Sequence, residues 1–380
     1  MNKQFLSTLM AGAVLLTSAG ATFAEVRIGV SLPLTGPASG LGIPMNNGLK
    51  LWPDVIGGEK VTLIVLDDAT DPTKGVQNVR RFVGEDKVDL VLGSGATPVA
   101  AAMAAVAAEA ATPQLALSPV PLPAGKDAWT FRIPHANGVM ANGIVAHMQR
   151  SGVKSVGFLG YTDAYGESWL QEAKSRLEKA GIALVATERF ARTDTSVGAQ
   201  TLKILSSHPD AVLIVASGSG AAMPQLALIE RNYKGRIYQT HAAATRDLMR
   251  IGGKATEGTF VSSPSMVVAD QLPVDHPARA EGMRFLQAHD KAHGPRARNA
   301  LAAHGWDAHL ILDKVIPVAL KKARPGSAEF RAALRDALES AGPIAVTGGV
   351  IRYTAGDHWG YSADSAVIMK VVNDDWKLEP

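Results

Sequence analysis

The residues best suited to chemistry stand in short polar turns that follow apolar runs. In Leu92-Gly93-Ser94-Gly95-Ala96-Thr97-Pro98 a strand-like run ends, glycines permit close approach, and a helix begins near Thr97. Free N–H groups at a helix N-terminus, joined by a hydroxyl, suit a carboxylate. Thr97 can equally do no more than cap its own helix. The turn from Pro33 to Gly42, which carries Leu41, has the same placement after the first apolar run. Tyr161 and Tyr165 follow a later run, each with a ring and a hydroxyl that can cover a bound solute or simply pack.

Other chemistry finds less support. His289 and His293 stand four apart, as helical metal ligands do, but read more simply as the solvated face of an exposed helix. Asp67 and Asp68 end a run, where carboxylates more often cap the following turn than work as an acid/base pair. Phosphate-loop, zinc-protease, calcium-loop and nucleophile-elbow motifs are absent, so no catalytic residue, metal or cofactor is expected and the chain reads as a non-enzyme. The absence of cysteine removes disulfides and thiolate sites. A net charge of +3 without Lys/Arg blocks argues against nucleic acid as a partner.

The elements that must position these turns are legible as a pattern. Apolar runs at 26–32, 61–68, 88–95, 114–119, 154–161, 183–190, 210–217, 236–241 and 258–264 alternate with helical segments near 73–86, 97–111, 138–150, 165–180, 197–207, 221–233 and 278–292. Such alternation specifies an α/β fold with parallel sheets, and continuous apolar strands imply burial on both faces. The turns above then lie at strand C-terminal ends, where open α/β sheets bind ligands. The pattern restarts after about residue 135, beyond the Pro-rich segment 118–138, which predicts two tandem sandwiches. Helices near 300–322 and 327–340 and a strand-rich tail suggest that the chain returns to complete an earlier domain.

The first 24 residues combine Lys3, an apolar run from Phe5 to Leu16 and small residues flanking Phe23, which is the pattern of an export signal cleaved after Ala24. Its apolar core is shorter than the roughly 20 residues of a spanning helix. The expected location is the periplasm.

Taken in order, IGVSLPLTGPASGLG, LVLGSGATPVAAAMAAVA, LALSP, the FRIP turn, SVGFLGYTDAYGESW, DAVLIVASGSGAAMPQLAL, EGTFVSSP and DHWGYSADSAVIMKVVNDDWKL make the chain resemble the leucine/isoleucine/valine-binding branch of the periplasmic solute-binding proteins. The resemblance covers essentially everything after Ala24. It implies two doubly wound parallel-sheet lobes joined by three hinge crossovers, closing around a solute. The first lobe is expected at 25–137 plus about 265–346, and the second at 138–264 plus about 347–380. By the same resemblance Thr97, with Ala96 before it, binds the solute carboxylate. Val120 and Leu122 follow the SP turn, Leu122 departing from a hydroxyl pattern. Tyr165 is the second-lobe cleft tyrosine, Ser219 lies near another cleft position, and Leu41 contacts the solute side chain. The implied partner is the membrane permease of an ABC importer, with a membrane receptor as the alternative.

One departure bears on the solute. Where amino-acid binders present an acid to the solute ammonium, this chain has His241 followed by Ala242 and Ala243. A buried ammonium without a carboxylate costs several kcal/mol in effective terms. A carboxylate lacking the amino group is therefore expected, and the similarity of the tail to that of binders of benzoate-type, phenylacetate-type or hydroxycinnamate-type acids implies a small apolar, aromatic one, with a branched-chain or other hydrophobic amino acid as the alternative. His241 or His135, donor and acceptor when neutral, can bond a ring hydroxyl or carboxylate, or each can be structural.

Overall fold

Buried apolar strands alternating with helices build two α/β lobes. The computed structural model describes residues 25–363 and 365–379, so the export signal expected at residues 1–24 lies outside the described part. The first lobe contains β1 (Val26–Leu32), α1 (Ser39–Leu49), β2 (Val55–Ile56), β3 (Glu59–Asp67), α2 (Pro72–Gly84), β4 (Leu90–Gly93), α3 (Thr97–Glu109), β5 (Gln114–Ala116) and β6 (Thr130–Arg132). Its sheet runs β2-β3-β1-β4-β5-β6, parallel except at β2. Leu32 pairs with Asp67 and Ser31 with Gly93, so the turns leaving β1, β3 and β4 emerge at one edge.

The second lobe contains α4 (Asn137–Arg150), β7 (Ser155–Tyr161), α5 (Ala164–Lys179), β8 (Ala183–Phe190), α6 (Gly198–Ser206), β9 (Ala211–Val215), α7 (Ala222–Glu230), β10 (Arg236–Gln239), α8 (Arg246–Gly252), β11 (Phe260–Ser263) and α9 (Arg279–His293). After these come α10 (Ala300–Leu320), α11 (Ala328–Ser340), β12 (Ile344–Val346), β13 (Gly349–Ile351), β14 (Val367–Val372) and β15 (Asp375–Glu379). The second sheet runs β15-β14-β11-β10-β9-β7-β8, with β14 and β15 antiparallel. Strands β4 and β9 are buried at every position, as two-sided coverage by helices requires.

Two separate apolar cores mark the lobes and correct the expected return points. The stretch Met266–Ala269 and Phe285 and Leu286 of α9 join the second core, although residues 265–346 were expected in the first. The first core is rejoined at Leu301 and keeps α11, β12, β13, Tyr353 and Tyr361, although residues beyond 347 were expected in the second. The first return thus falls in the N-terminal turns of α10, whose Ala300, Ala302 and Ala303 still pack in the second core, and the second falls between Tyr361 and Ala366. Gly282 allows this seating of α9, because a Cβ there would lie 2.7 Å from the Ala269 side chain.

Helix α1 replaces what reads as a glycine-rich loop. It tolerates Gly40, Gly42, Gly48 and Pro44 because it crosses α10 at very short range. A Cβ on Gly48 would stand 1.9 Å from the carbonyl oxygen of Ala302, and one on Gly305 2.3 Å from that of Met45. His289 also departs from expectation: it is buried beside Phe285 rather than on a solvated face.

Candidate functional site: the cleft between the lobes

The strand C-terminal edges of both sheets converge on a cleft between the lobes. Gly95 and Thr97 follow β4, Ser118 follows β5, Arg192 follows β8, Ser217 follows β9 and His241 follows β10. Tyr165 enters from α5, Leu41 and Met45 from α1, and Leu301 and His304 from α10. The lobes touch across the mouth. A Cβ on Gly40 would lie 3.7 Å from the Ser219 nitrogen, and one on Gly218 3.6 Å from the Gly40 backbone.

On the first-lobe wall, helix α3 starts without a side-chain cap, as do α1, α4 and α6 to α9, while α2, α5, α10 and α11 are capped by Asp71, Asp163, Asn299 and Ser327. The Ala96 N–H donates to Ser94 Oγ at 3.2 Å. The first turn thus leaves the N–H groups of Thr97 and Val99 without a side-chain cap, Pro98 having none to offer. Asp68 stabilises this edge from beneath: it accepts from Ser31 Oγ at 3.3 Å and the Thr70 N–H at 3.0 Å. Burial raises its pKa, opposed by bonds that include the Ser94 hydroxyl. Asp67 accepts from the Leu34 and Thr35 N–H groups, so both carboxylates organise turns. Ser118 Oγ is buried in the wall without a partner.

On the second-lobe wall, Asp163 positions two cleft residues at once. It caps α5 through the N–H groups of Tyr165 and Gly166, and it accepts from Arg192 Nε at 2.5 Å. Arg192 Nη1 donates to Ser217 Oγ at 2.7 Å, and the guanidinium lies 4.1 Å over the Tyr161 ring. The Tyr165 hydroxyl is 2.7 Å from Thr240 Oγ1, which donates to the Ala216 carbonyl at 3.3 Å. With Thr240 so committed, Tyr165 donates to it and keeps its own oxygen free to accept. Burial raises the Tyr165 pKa, so the phenol stays protonated.

Burial pushes His241 down to about 4 and, together with the charge of His241, His304 down to about 3. Both imidazoles are neutral at pH 7. No Asp or Glu is among the residues lining the cleft, and Arg192 is the one formally charged side chain there.

Of the residues expected from sequence, Leu41, Thr97, Tyr165 and His241 come together in the lining. Ala96 lies directly behind it as the N-cap of α3. Val120 and Leu122 do not reach it: the Val120 carbonyl accepts from Arg132 Nε at 3.1 Å, and both side chains pack with Ala100 and Ala116. Ser118 stands where they were expected. Ser219 is exposed on an outer groove, and Ser217 lines the cleft in its stead. His135 sits behind the cleft in the first crossover, stacked 3.6 Å from Tyr361 with the backbone of Ser365 and Gly348 beside it. Sequence reasoning missed Ser118, Arg192, Ser217 and His304. Arg192 could have been found by the strand-end rule that found Thr97, whereas His304 carries no local signal.

The Periplasmic binding protein family model matches residues 25–374. Leu/Ile/Val-binding protein BraC3 of Rhizobium johnstonii is 28% identical over 376 residues, covering 92% of this chain and 92% of the relative. An extracellular ligand-binding receptor from Rhodopseudomonas palustris HaA2 is 41% identical with a TM-score of 0.91, covering 94% of this chain and 100% of its own. A solute-binding protein of an ABC transporter from R. palustris, solved in complex with benzoate, shares the fold at 20% identity and a TM-score of 0.78, covering 93% of this chain and 95% of its own. A match of this extent on this two-lobe topology establishes that the chain belongs to the type I periplasmic binding proteins, in the leucine/isoleucine/valine-binding family of extracytoplasmic receptors of ABC transporter type.

Proposed function

We propose that the cleft captures a small apolar carboxylate, aromatic and without an ammonium group, and that the closed lobes present it to the permease of an ABC importer. The observation that carries this reading is the charge pattern of the lining: one guanidinium, neutral histidines and no acid. The solute carboxylate meets the uncapped N-terminus of α3 and the Thr97 hydroxyl, with Arg192 supplying positive charge. Leu41, Met45, Leu117 and Leu301 enclose the apolar body. An ammonium would be buried without a counter-charge, at a cost of several kcal/mol. The solved relative in complex with benzoate supports the reading.

The name of the Rhizobium relative favours a second reading, a branched-chain amino acid. Thermal melts of the exported chain separate the two. A solute at 100 times its dissociation constant stabilises by about 2.7 kcal/mol. Benzoate and cinnamate are expected to raise the melting temperature, and leucine, isoleucine and valine to leave it unchanged. A shift with leucine or valine and with no aromatic acid refutes the assignment. Delivery to a permease predicts ATP-dependent uptake of the bound acid that is lost when the gene is deleted.

A further inference from the structure

Two buried histidines in the cleft carry hydrogen-bonding atoms that no protein group satisfies. His304, on the second turn of α10, is 2% exposed and has no partner at Nδ1 or Nε2. His241, after β10, is 3% exposed and has none at Nδ1. Native proteins rarely leave buried polar atoms unpaired, so two such rings in one cleft point to a group that arrives with the solute. The polar groups of the second-lobe wall, by contrast, are bonded to one another. Tyr165 is bonded to Thr240 and Arg192 to Asp163 and Ser217, whereas Ser118 Oγ in the lining and both ring nitrogens of His135, stacked on Tyr361 behind the cleft, also lack partners.

The position of these rings divides the cleft. His304 lies within electrostatic reach of both His241 and His135, and His135 belongs to the first crossover, so the imidazoles mark the hinge end. Ser217, bonded to Arg192, is next to Gly218, which meets Gly40 where the lobes touch. The cationic group therefore stands nearer the mouth, and neutral rings stand nearer the hinge. A neutral imidazole offers one donor and one acceptor. A hydroxyl matches both, a carboxylate matches only the donor, and an ammonium matches only the acceptor.

We propose that His304, with His241 beside it, is a specificity-determining residue that binds a hydroxyl group on the solute ring, remote from the carboxylate. The solute class narrows to hydroxy-substituted aromatic carboxylates. This inference rests on the carboxylate-binding function proposed above.

Calorimetric titration of the exported chain with two pairs, benzoate with 4-hydroxybenzoate and cinnamate with 4-hydroxycinnamate, tests it. In at least one pair the hydroxylated acid is expected to bind at least about tenfold tighter, because its hydroxyl satisfies atoms that otherwise stay unpaired. The matching 4-methoxy acid, which cannot donate, is expected to lose that gain. His304→Leu is expected to reduce the ratio of hydroxylated-acid to parent-acid affinity from at least about tenfold to within about threefold. His304→Gln, which keeps a donor and an acceptor, is expected to retain part of the preference. The wild-type comparison stands even where a variant does not fold. Equal affinities within both pairs overturn the role of His304 and leave the carboxylate reading intact. Leucine binding with no affinity for any of the four acids overturns that reading and this inference with it.

Discussion

Replacing Arg192 with Gln removes the one charged group lining the cleft and keeps a donor for Ser217. In the wild-type chain the guanidinium is held by Asp163 at 2.5 Å and Ser217 at 2.7 Å and lies 4.1 Å over the Tyr161 ring. Little side-chain freedom remains to be lost on binding. A hydrogen bond to a charged group is worth about 1.5–3 kcal/mol, so Arg192→Gln is expected to weaken binding of an aromatic carboxylate by about 10- to 150-fold. The unbalanced negative charge of Asp163 acts in the same direction, and adding Asp163→Asn should restore part of the loss. Calorimetry with benzoate gives the affinity, and the matching neutral amide, benzamide, serves as the control that should be insensitive to the change. Helix α5 keeps its other contacts, so the melting temperature should move little. An affinity for benzoate within about threefold of wild type would refute the assignment of Arg192 to the carboxylate.

Three further outcomes follow from the same geometry. Thr97→Ala is expected to weaken carboxylate binding by about fivefold, for one neutral hydrogen bond of about 1 kcal/mol, while Thr97→Ser stays within about twofold; equal affinity of all three in calorimetry contradicts the role of the hydroxyl. Asp307, fully buried beside Thr347, is pushed from 3.8 up to about 7 by burial. Its folded pKa is raised, so stability is fully present below about pH 4 and falls as pH rises to about 7. Asp307→Asn should gain on wild type across that window by up to about 4 kcal/mol, measured by urea unfolding at pH 4 and pH 8, and a difference that does not change with pH refutes it. Gly48→Ala places a methyl group against the Ala302 carbonyl and should cost at least about 1–3 kcal/mol, read from the denaturation midpoint; an unchanged midpoint contradicts the close crossing of α1 and α10.

The α/β class and the two lobes were legible because central strands such as β4 and β9 are covered on both faces, which leaves continuous apolar runs in the chain. Helix α1 was not, because its glycines and proline are favoured by a tertiary crossing and oppose helix by local propensity. The side of α9 was equally hidden: an amphipathic helix shows that it covers a core, and not which of two. In the site, Thr97 and Tyr165 were readable because strand C-terminal ends are where open sheets place ligands, and His241 through the family resemblance. Val120 and Leu122 were misplaced because Arg132 turns the Val120 backbone away from the cleft. His304 reaches the cleft only through the late return of the chain, which no local pattern encodes.

The central claim is that the cleft takes a carboxylate without an ammonium, and one pair of solutes isolates that difference. 3-Phenylpropionate and phenylalanine share a ring, a chain length and a carboxylate and differ only in the amino group. Calorimetric titration at pH 7 is expected to show binding of 3-phenylpropionate and at least about a hundredfold weaker binding of phenylalanine, the ratio for about 2.7 kcal/mol of unpaired buried charge. Phenylalanine binding as tightly as 3-phenylpropionate, or more tightly, would contradict the account.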